Sequence, residues 1–262
     1  MNDSKWSDLS TRMSSAVVLL ALFSVTLWLG PSGLLGLGFA GAIIMHWEMA
    51  RMFGLSDRRT QVVMAMAAMG WLPMILFPTV AVNGLILPFV AGFLPVFIAA
   101  ALTPKQRSVY IGYGIIITAG ITAYWYITIT LGSFGVLVLA VLVIMSDIGG
   151  YVFGRLVGGP KFWPSVSPKK TWSGTLAGWL LAATIGMYFS IYFNYMWTVP
   201  VAIIIVLGAQ LGDIAESWVK RQVGVKDSSG LIPGHGGLLD RLDGFLGGAI
   251  IAGLFLNTYR VL

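Results

Sequence analysis

The sequence contains no cysteine and few charged residues. The absence of cysteine excludes disulfides, thiolate metal sites and a cysteine nucleophile, and it leaves the redox compartment undetermined. Only 10% of the 262 residues are charged, whereas a soluble domain carries about 25%. Hydrophobic residues make up 57% of the chain, and the mean hydropathy is +0.86. This composition excludes a soluble globular protein and indicates an integral membrane protein.

Long apolar stretches recur along the whole chain. A helix needs roughly 20 apolar residues to cross the hydrocarbon core of a bilayer. Division of the stretches at Gly, Pro and polar residues predicts nine spans. They cover residues 16–30, 33–51, 61–79, 82–102, 108–130, 134–153, 174–193, 198–216 and 238–257. We therefore expect an all-α membrane bundle in one polytopic domain, residues 1–262. Residues 1–145 supply N-terminal spans, and 146–262 supply the spans and loops that carry the chemistry.

The polar start of the chain, MNDSKWSDLSTRMSS, precedes an apolar run, as it would in a secretory signal peptide. The run is followed by WLGPSG, which is not a small-x-small cleavage site. We therefore predict an uncleaved first span.

Basic residues fall on one side of the predicted spans. Of the 16 lysines and arginines, all but Arg260 lie before the first span, in the connections after the second, fourth, sixth and eighth spans, or at the span ends beside these connections. Such an excess marks cytoplasmic loops. We therefore expect a cytoplasmic N-terminus and a C-terminus outside. The two longest polar connections, about 154–173 and 217–237, then share the cytoplasmic face.

Carboxylates stand at the inner ends of the spans beside these two connections. An acidic group within a membrane boundary is costly unless it is paired, solvated or metal-bound, so each one is a candidate for function. The group comprises Asp147, Asp213, Glu216, Asp240 and Asp243. On a helix, Asp213 shares a face with Glu216 and Ser217. Asp240 likewise shares a face with Asp243. Two adjacent helices can thus direct carboxylates at one cation.

The residue types favour a hard cation and phosphate groups. Oxygen ligands, without cysteine and without a well-placed histidine pair, favour Mg²⁺ over Zn²⁺. Mg²⁺ usually joins a few carboxylates to substrate phosphates, whose charge basic side chains neutralise. Such basic residues are Lys169, Lys170, Lys220, Arg221 and Lys226. The segments GHGG and SSG let the backbone approach a phosphate closely.

Simpler interpretations of the charged residues stay open. Asp213 can pair with a basic neighbour, and Glu216 can pair with Lys220 at i+4. A single cytoplasmic lysine is more often a topology anchor than a ligand, and Asp227 can form the turn in KDSSG.

Two polar residues of the second span, His46 and Glu48 in MHWEMA, have a simple interpretation of their own. Their side chains can reach to the membrane interface without any further role. The sequence favours this interpretation for His46 and slightly favours it for Glu48. The segment SPKKTWSG lacks the spacing of a Walker phosphate loop and is weak evidence by itself.

A more specific pattern extends from residue 217 to residue 243. It reads Ser217-x-x-Lys220-Arg221-x4-Lys226-Asp227-x5-Pro233-x-His235-Gly236-Gly237-x-x-Asp240-Arg241-x-Asp243. The pattern resembles, without departure, the motif of CDP-diacylglycerol synthases, also called phosphatidate cytidylyltransferases. Upstream, the matching residues are Asp147, Tyr151, Gly154, Arg155, Gly158, Ser167, Pro168, Lys169, Lys170, Thr171 and Gly174. The resemblance is firm over residues 146–244, and before them it concerns only span count and hydropathy.

The resemblance implies an enzyme of phospholipid biosynthesis. Such an enzyme transfers a cytidylyl group from CTP to phosphatidate, giving CDP-diacylglycerol and pyrophosphate, and it requires Mg²⁺. The paired metal-binding aspartates of the family map onto Asp213 and Asp240, and a monovalent cation often accompanies the Mg²⁺. The family fold is an all-helical membrane bundle, often a homodimer, with its site in a cytoplasmic-side cavity open to lipid.

Roles for individual residues follow from the resemblance and the charge pattern together. The expected metal ligands are Asp213, Asp240 and Asp243, the last of which can instead orient Arg241. The expected catalytic residues are Asp213, Asp240, Lys220, Arg241 and His235. The expected substrate-binding residues are Ser217, Arg221, Lys226, Asp227, Gly236, Gly237, Asp147, Tyr151, Lys169, Lys170 and Thr171.

Other functions remain as alternatives. A CTP-dependent polyprenol or phytol kinase, or a cytidylyltransferase acting on an ether lipid, would share the metal and nucleotide requirements. A transporter is less favoured, because the carboxylates cluster at the cytoplasmic ends of the spans and no internal repeat is apparent. We expect CTP, phosphatidate and membrane lipid as partners, no nucleic acid, and a location in a bacterial cytoplasmic membrane.

Overall fold

Eight helices and a two-stranded β-hairpin form the parts of the chain that the computed structural model describes, which are residues 3–77, 86–103 and 105–261. The helices are α1 (Asp3–Trp28), α2 (Gly30–Met52), α3 (Asp57–Leu76), α4 (Ile86–Leu102), α5 (Arg107–Leu156), α6 (Trp172–Phe193), α7 (Thr198–Val223) and α8 (Leu239–Val261). The strands are β1 (Lys161–Trp163) and β2 (Ser167–Thr171). The bundle confirms the predicted all-α membrane class.

Helix ends fall where the local sequence favours them. A proline stands in the first turn of α2, where its missing N–H is not needed. The Thr171 hydroxyl accepts a hydrogen bond from Gly174 N and so caps the start of α6. Gly224, with a φ of 78°, ends α7 in the left-handed conformation that glycine adopts without strain.

Helix α5 is 50 residues long but does not run straight. At Gly132 the backbone leaves the helical region, with φ 63° and ψ −154°. Ile121 and Ile144 line the same cavity of about 390 Å³, although a straight helix would place them roughly 35 Å apart. The two halves therefore lie side by side as a helical hairpin, and they match the predicted spans 108–130 and 134–153.

Six helices of the described part, α5 among them, are long and apolar enough to cross a membrane. The predicted number of nine spans stays a prediction, because residues 78–85, at the end of the predicted third span and the start of the fourth, lie outside the described residues. The orientation of the termini also stays a prediction.

The polar connections meet at one end of the bundle. Contacts between them are Ser15 Oγ to Pro233 O (2.8 Å), Arg59 Nη1 to Leu102 O (3.2 Å), Gln106 Nε2 to Gln222 O (2.6 Å), Lys170 Nζ to Asp213 Oδ2 (2.5 Å) and Ser229 Oγ to Glu48 Oε1 (2.6 Å). The turn at Gly132 lies at the opposite end, where Ser133 Oγ donates to Leu27 O at 3.3 Å. This arrangement agrees with the alternation of basic and uncharged connections in the sequence.

Helices α7 and α8 approach each other backbone to backbone. A β-carbon on Gly208 would lie 2.9 Å from the carbonyl oxygen of Gly247, and one on Gly212 would collide with the carbonyl oxygen of Asp243. The spacing Gly208-x3-Gly212 is the small-residue pattern that permits close helix contact in membranes. The close approach sets the carboxylates of α7 beside those of α8.

The connection between α5 and α6 contains a β-hairpin that the sequence analysis did not predict. Strands β1 and β2 pair antiparallel, with Lys161 opposite Thr171 and Trp163 opposite Ser167. This pairing places Lys169 and Lys170 on a short strand that leads directly into α6. The all-α description therefore holds for the bundle and not for this connection.

Candidate active site

Asp240, in the first turn of α8, is surrounded by hydrogen-bond donors. Its Oδ1 lies 2.6 Å from Lys220 Nζ. Its Oδ2 accepts from Ser228 N (2.8 Å), Ser228 Oγ (2.9 Å) and Gly237 N (2.7 Å). The side chain is only 4% exposed. Asp240 therefore fixes the connection between α7 and α8, residues 224–238, which we call the α7–α8 loop, and also pairs with a lysine.

Asp213 faces the neighbouring β-hairpin. Its Oδ2 lies 2.5 Å from Lys170 Nζ, and its Oδ1 accepts from Ser217 Oγ at 3.3 Å. The predicted shared face of Asp213 and Ser217 is confirmed. The simpler interpretation, in which Asp213 pairs with a basic neighbour, is confirmed as well. This contact joins the α5–α6 connection to α7.

Glu216 and Asp243 form a buried pair of neighbouring carboxyl groups. Glu216 is 0% exposed, and its carboxyl group interacts with that of Asp243. The Lys220 ammonium lies 3.5 Å from Glu216 Oε1, so the expected i+4 ion pair is present, although the lysine is closer to Asp240. Two adjacent buried carboxyl groups repel each other as anions unless a proton or a cation lies between them.

The segment IPGHGG of the α7–α8 loop forms a tight turn. Ile232 N donates to Gly236 O (2.8 Å), and His235 N donates to Ile232 O (2.9 Å). Arg241 spans the turn, since its Nε and Nη2 donate to the carbonyl oxygen of His235 at 3.1 and 2.8 Å. These bonds orient Arg241 through the backbone of the turn rather than through Asp243. The His235 Nδ1 atom is buried and has no partner in the described part of the chain.

Glu48 is the residue of this region that the sequence analysis left aside. It is 0% exposed and accepts hydrogen bonds from Ser229 Oγ (2.6 Å), Leu238 N (2.8 Å) and Leu239 N (2.7 Å). The interpretation that it only reaches to the interface is therefore wrong, and so is the same interpretation of His46, which is 1% exposed. The sequence did contain a signal for Glu48, because it is an acidic residue inside an apolar span. It could not show the partners of Glu48, since α8 lies about 190 positions further along the chain.

The remaining predicted residues belong to α5, β2, α7 and the α7–α8 loop. Exposed ones are Tyr151, Lys169, Arg221, Lys226, Asp227 and Asp147. The hydroxyl of Tyr151 accepts from Arg155 at 3.1 Å, and Thr171 serves as the helix cap described above. Gly236 adopts a φ of 82°, and a β-carbon on it would lie 2.6 Å from Asp240 Oδ2. The expected substrate-binding roles of these residues stay predictions.

An apolar cavity of about 390 Å³ lies between α1, α2, α5 and α8. Its walls are leucine, phenylalanine and other apolar side chains, among them Phe23, Leu242 and Phe245. Asp147 and Arg241 also line it. The cavity thus connects an apolar interior of the bundle with the charged end of α8.

The chain is similar in sequence to known proteins. The model of the cytidylyltransferase family matches residues 10–259. The chain belongs to this family. The match includes all the residues named above for the candidate site and the cavity.

Relatives of this cytidylyltransferase include proteins named phosphatidate cytidylyltransferase. The protein of Brucella melitensis biotype 1 is 33% identical over an alignment of 264 positions, which covers 95% of this chain and 93% of the relative. The protein of Brucella suis biovar 1 has the same identity and coverage. That of Staphylococcus haemolyticus is 42% identical over 141 residues, or 52% of each chain. The resemblance inferred from the motif is thereby confirmed.

Proposed function

We propose that this cytidylyltransferase transfers a cytidylyl group from CTP to phosphatidate, giving CDP-diacylglycerol and pyrophosphate. The observation that carries the proposal is the continuity between the charged start of α8 and the apolar cavity, because Arg241 follows Asp240 and also lines the cavity. A phosphate at Arg241 would leave an acyl chain facing the apolar wall. The names of the relatives support the same acceptor.

The chemistry requires positioning more than a strong base. A phosphate monoester loses its second proton at a pKa of about 6, so near neutral pH the phosphatidate oxygen is already an anion that can attack the α-phosphorus of CTP. The new P–O bond forms as the bond to pyrophosphate breaks, and the charge of two polyanions must be neutralised throughout. A site rich in lysine and arginine meets that need.

We propose phosphate-binding roles for three basic side chains. Lys220 and Lys170 now face Asp240 and Asp213, at 2.6 and 2.5 Å, and Arg241 lies against the turn. We propose that Lys220 and Lys170 bind the triphosphate and that Arg241 binds the lipid phosphate. His235, whose Nδ1 has no partner within the described residues, would donate to or accept from pyrophosphate.

Mg²⁺ is proposed as the cofactor. Within the described residues no three Asp, Glu or His side chains converge as a ready-made metal site. Mg²⁺ usually takes one or two carboxylates and completes its coordination with substrate phosphates and water. The donors fit such an ion, because they are all oxygens and the buried Glu216 carboxyl group adjoins that of Asp243, so that a cation would relieve their repulsion. Asp213, Asp240 and Asp243 would hold the ion, which would neutralise the triphosphate and the leaving pyrophosphate. A monovalent cation beside it is proposed on the family resemblance.

The setting of the reaction is part of the proposal. We infer a bacterial cytoplasmic membrane, a cytoplasmic N-terminus and a site on the cytoplasmic side, supported by the clustering of the basic connections at one end of the bundle. A homodimer is proposed from the family resemblance.

The test uses protein in detergent with phosphatidate, Mg²⁺ and CTP labelled at the α-phosphorus. We expect label in lipid, an equal amount of pyrophosphate, and loss of both with EDTA. The Asp57→Asn variant, which alters only an exposed pair with Arg51, should match the wild type. Release of CDP without label in lipid would indicate a kinase, and no turnover by folded protein would contradict the proposal.

A further inference from the structure

We propose that Glu48 is a positioning residue for cytidylyl transfer, which it supports from α2 by holding the α7–α8 loop and, through it, Asp240. The inference rests on the proposed function. The carboxylate is fully buried, and the hydrogen bonds it accepts come from neutral hydroxyl and amide groups. Hydrogen bonds to an ionised acceptor are about twice as strong as those between neutral groups.

Two carboxylates hold the same loop at the same two places. Asp240 accepts from Ser228 and from Gly237 N, whereas Glu48 accepts from the next residues, Ser229 Oγ and Leu238 N. The loop thus leaves α7, is bound at 228–229, makes its glycine turn, and is bound again at 237–239. Both ends of the loop are fixed to acidic groups on different helices.

Glu48 also supplies the start of α8 with an acceptor. The first N–H groups of a helix have no partner within the helix and favour a negative charge. Leu239 N, at the first residue of α8, donates to Glu48 Oε2 at 2.7 Å. Asp240 is the next residue, so Glu48 fixes the helical turn that carries the proposed metal ligand.

The space around the two carboxylates is closed. A β-carbon on Gly237 would collide with Ser228 Oγ and with Glu48 Oε1. Ser228 lies between the acids, with its Oγ 2.9 Å from Asp240 and 3.3 Å from Glu48. The single hydroxyl proton of Ser228 is donated to the nearer Asp240. The hydrogen bonds to Glu48 therefore come from Ser229 and from the amides of Leu238 and Leu239. With Oδ2 of Asp240 bonded to the loop, Oδ1 faces Lys220.

The first experiment compares wild type with Glu48→Gln. The amide cannot accept all three bonds, so Asp240 should lose its fixed orientation, whereas Lys170, Lys220 and Arg241 keep their charges. We expect kcat to fall about 10–100-fold, the scale seen when groups that orient metal ligands are removed. KM for CTP and for phosphatidate should change much less than kcat. Glu48→Asp keeps the charge on a shorter side chain and should recover part of kcat. A wild-type kcat in folded Glu48→Gln would overturn the proposal.

A second readout does not need turnover. Amide hydrogen exchange reports local opening, and in Glu48→Gln without substrate it should accelerate over residues 228–239 and not in α3. If even wild type transfers no label, the proposed function fails, while the exchange pattern still decides whether Glu48 holds the loop. Unchanged exchange over 228–239 would overturn the positioning role.

Controls separate positioning from stability. Met74→Ala removes a side chain that is 1% exposed in α3, so it should lower the melting temperature without a loss of kcat per folded molecule. If Glu48→Gln does not fold, Ser229→Ala tests the same contact and should lower kcat in the same direction with faster exchange. In a folded double variant, Ser229→Ala should add little to Glu48→Gln, because the bond is already lost. Fully additive losses would contradict the shared contact.

Discussion

Two lysines pair with aspartates of the candidate site, and their surroundings differ. Lys220 comes from α7, is 14% exposed at its side chain, and pairs with an Asp240 that is 4% exposed and bound by three loop donors. Lys170 comes from the β-hairpin, and its pair with Asp213 is 25% and 35% exposed. Water screens the second pair more strongly, and exposed ion pairs contribute little to stability. The α7–α8 loop is therefore a preorganised part of the site, and the β-hairpin is an adjustable one.

The largest effect is expected for Asp240→Asn. Loss of a carboxylate that orders the loop and is proposed to bind the metal should reduce turnover by about 10³-fold or more, the scale of a lost charge-stabilising group in phosphoryl transfer. The change also leaves buried donors unsatisfied, at about 1–3 kcal/mol. Activity and thermal unfolding in detergent measure the two effects. Asp240→Asn with normal stability would remove the contrast between the two parts of the site.

Asp213→Asn should cost nearly as much activity and much less stability. The predicted metal ligand is lost, but its partly exposed partner Lys170 can turn to water, so the unfolding free energy should change by less than about 1 kcal/mol. The same assays apply, with the variant beside Asp240→Asn. Full turnover at ordinary Mg²⁺ would contradict the assignment of Asp213.

Gly237→Ala tests the preorganised part without changing a charge. The added methyl would meet Ser228 Oγ and Glu48, and overpacking of this kind costs about 1–3 kcal/mol. We expect lower stability together with lower kcat, because the loop must move away from Asp240. Gly230→Ala is the matched control, since a β-carbon there meets nothing within 4 Å. Equal behaviour of the two variants would show that the loop is not closely packed.

Lys170→Ala should have the smallest effect, and on binding rather than on folding. The melting temperature should stay near that of wild type, whereas KM for CTP should rise because a phosphate-neutralising charge is lost. Lys161→Ala, at the exposed start of β1, is the control and should change neither quantity. A drop in stability as large as that of Asp240→Asn would mean that the hairpin is as firmly held as the loop.

Local sequence predicts some features of the candidate site and not others. Asp213, Glu216 and Ser217 follow one another at helical spacing, so their common face on α7 was predictable. The hydrogen bond between Asp213 and Ser217 confirms it. The role of Glu48 was not predictable, because its partners lie about 180 to 190 positions away and hydropathy describes only one helix at a time.

The sequence by itself determined the membrane class, most helix positions and the membership of the cytidylyltransferase family. Apolar length, glycine and proline punctuation and fixed polar spacing are local properties of the chain. The tertiary structure decided which lysine pairs with which aspartate, that α5 folds back at Gly132, and that α2 contributes a buried carboxylate to the α7–α8 loop. These features depend on how closely helices approach, and that approach is set by packing between residues far apart in sequence, such as Gly212 against the backbone of α8.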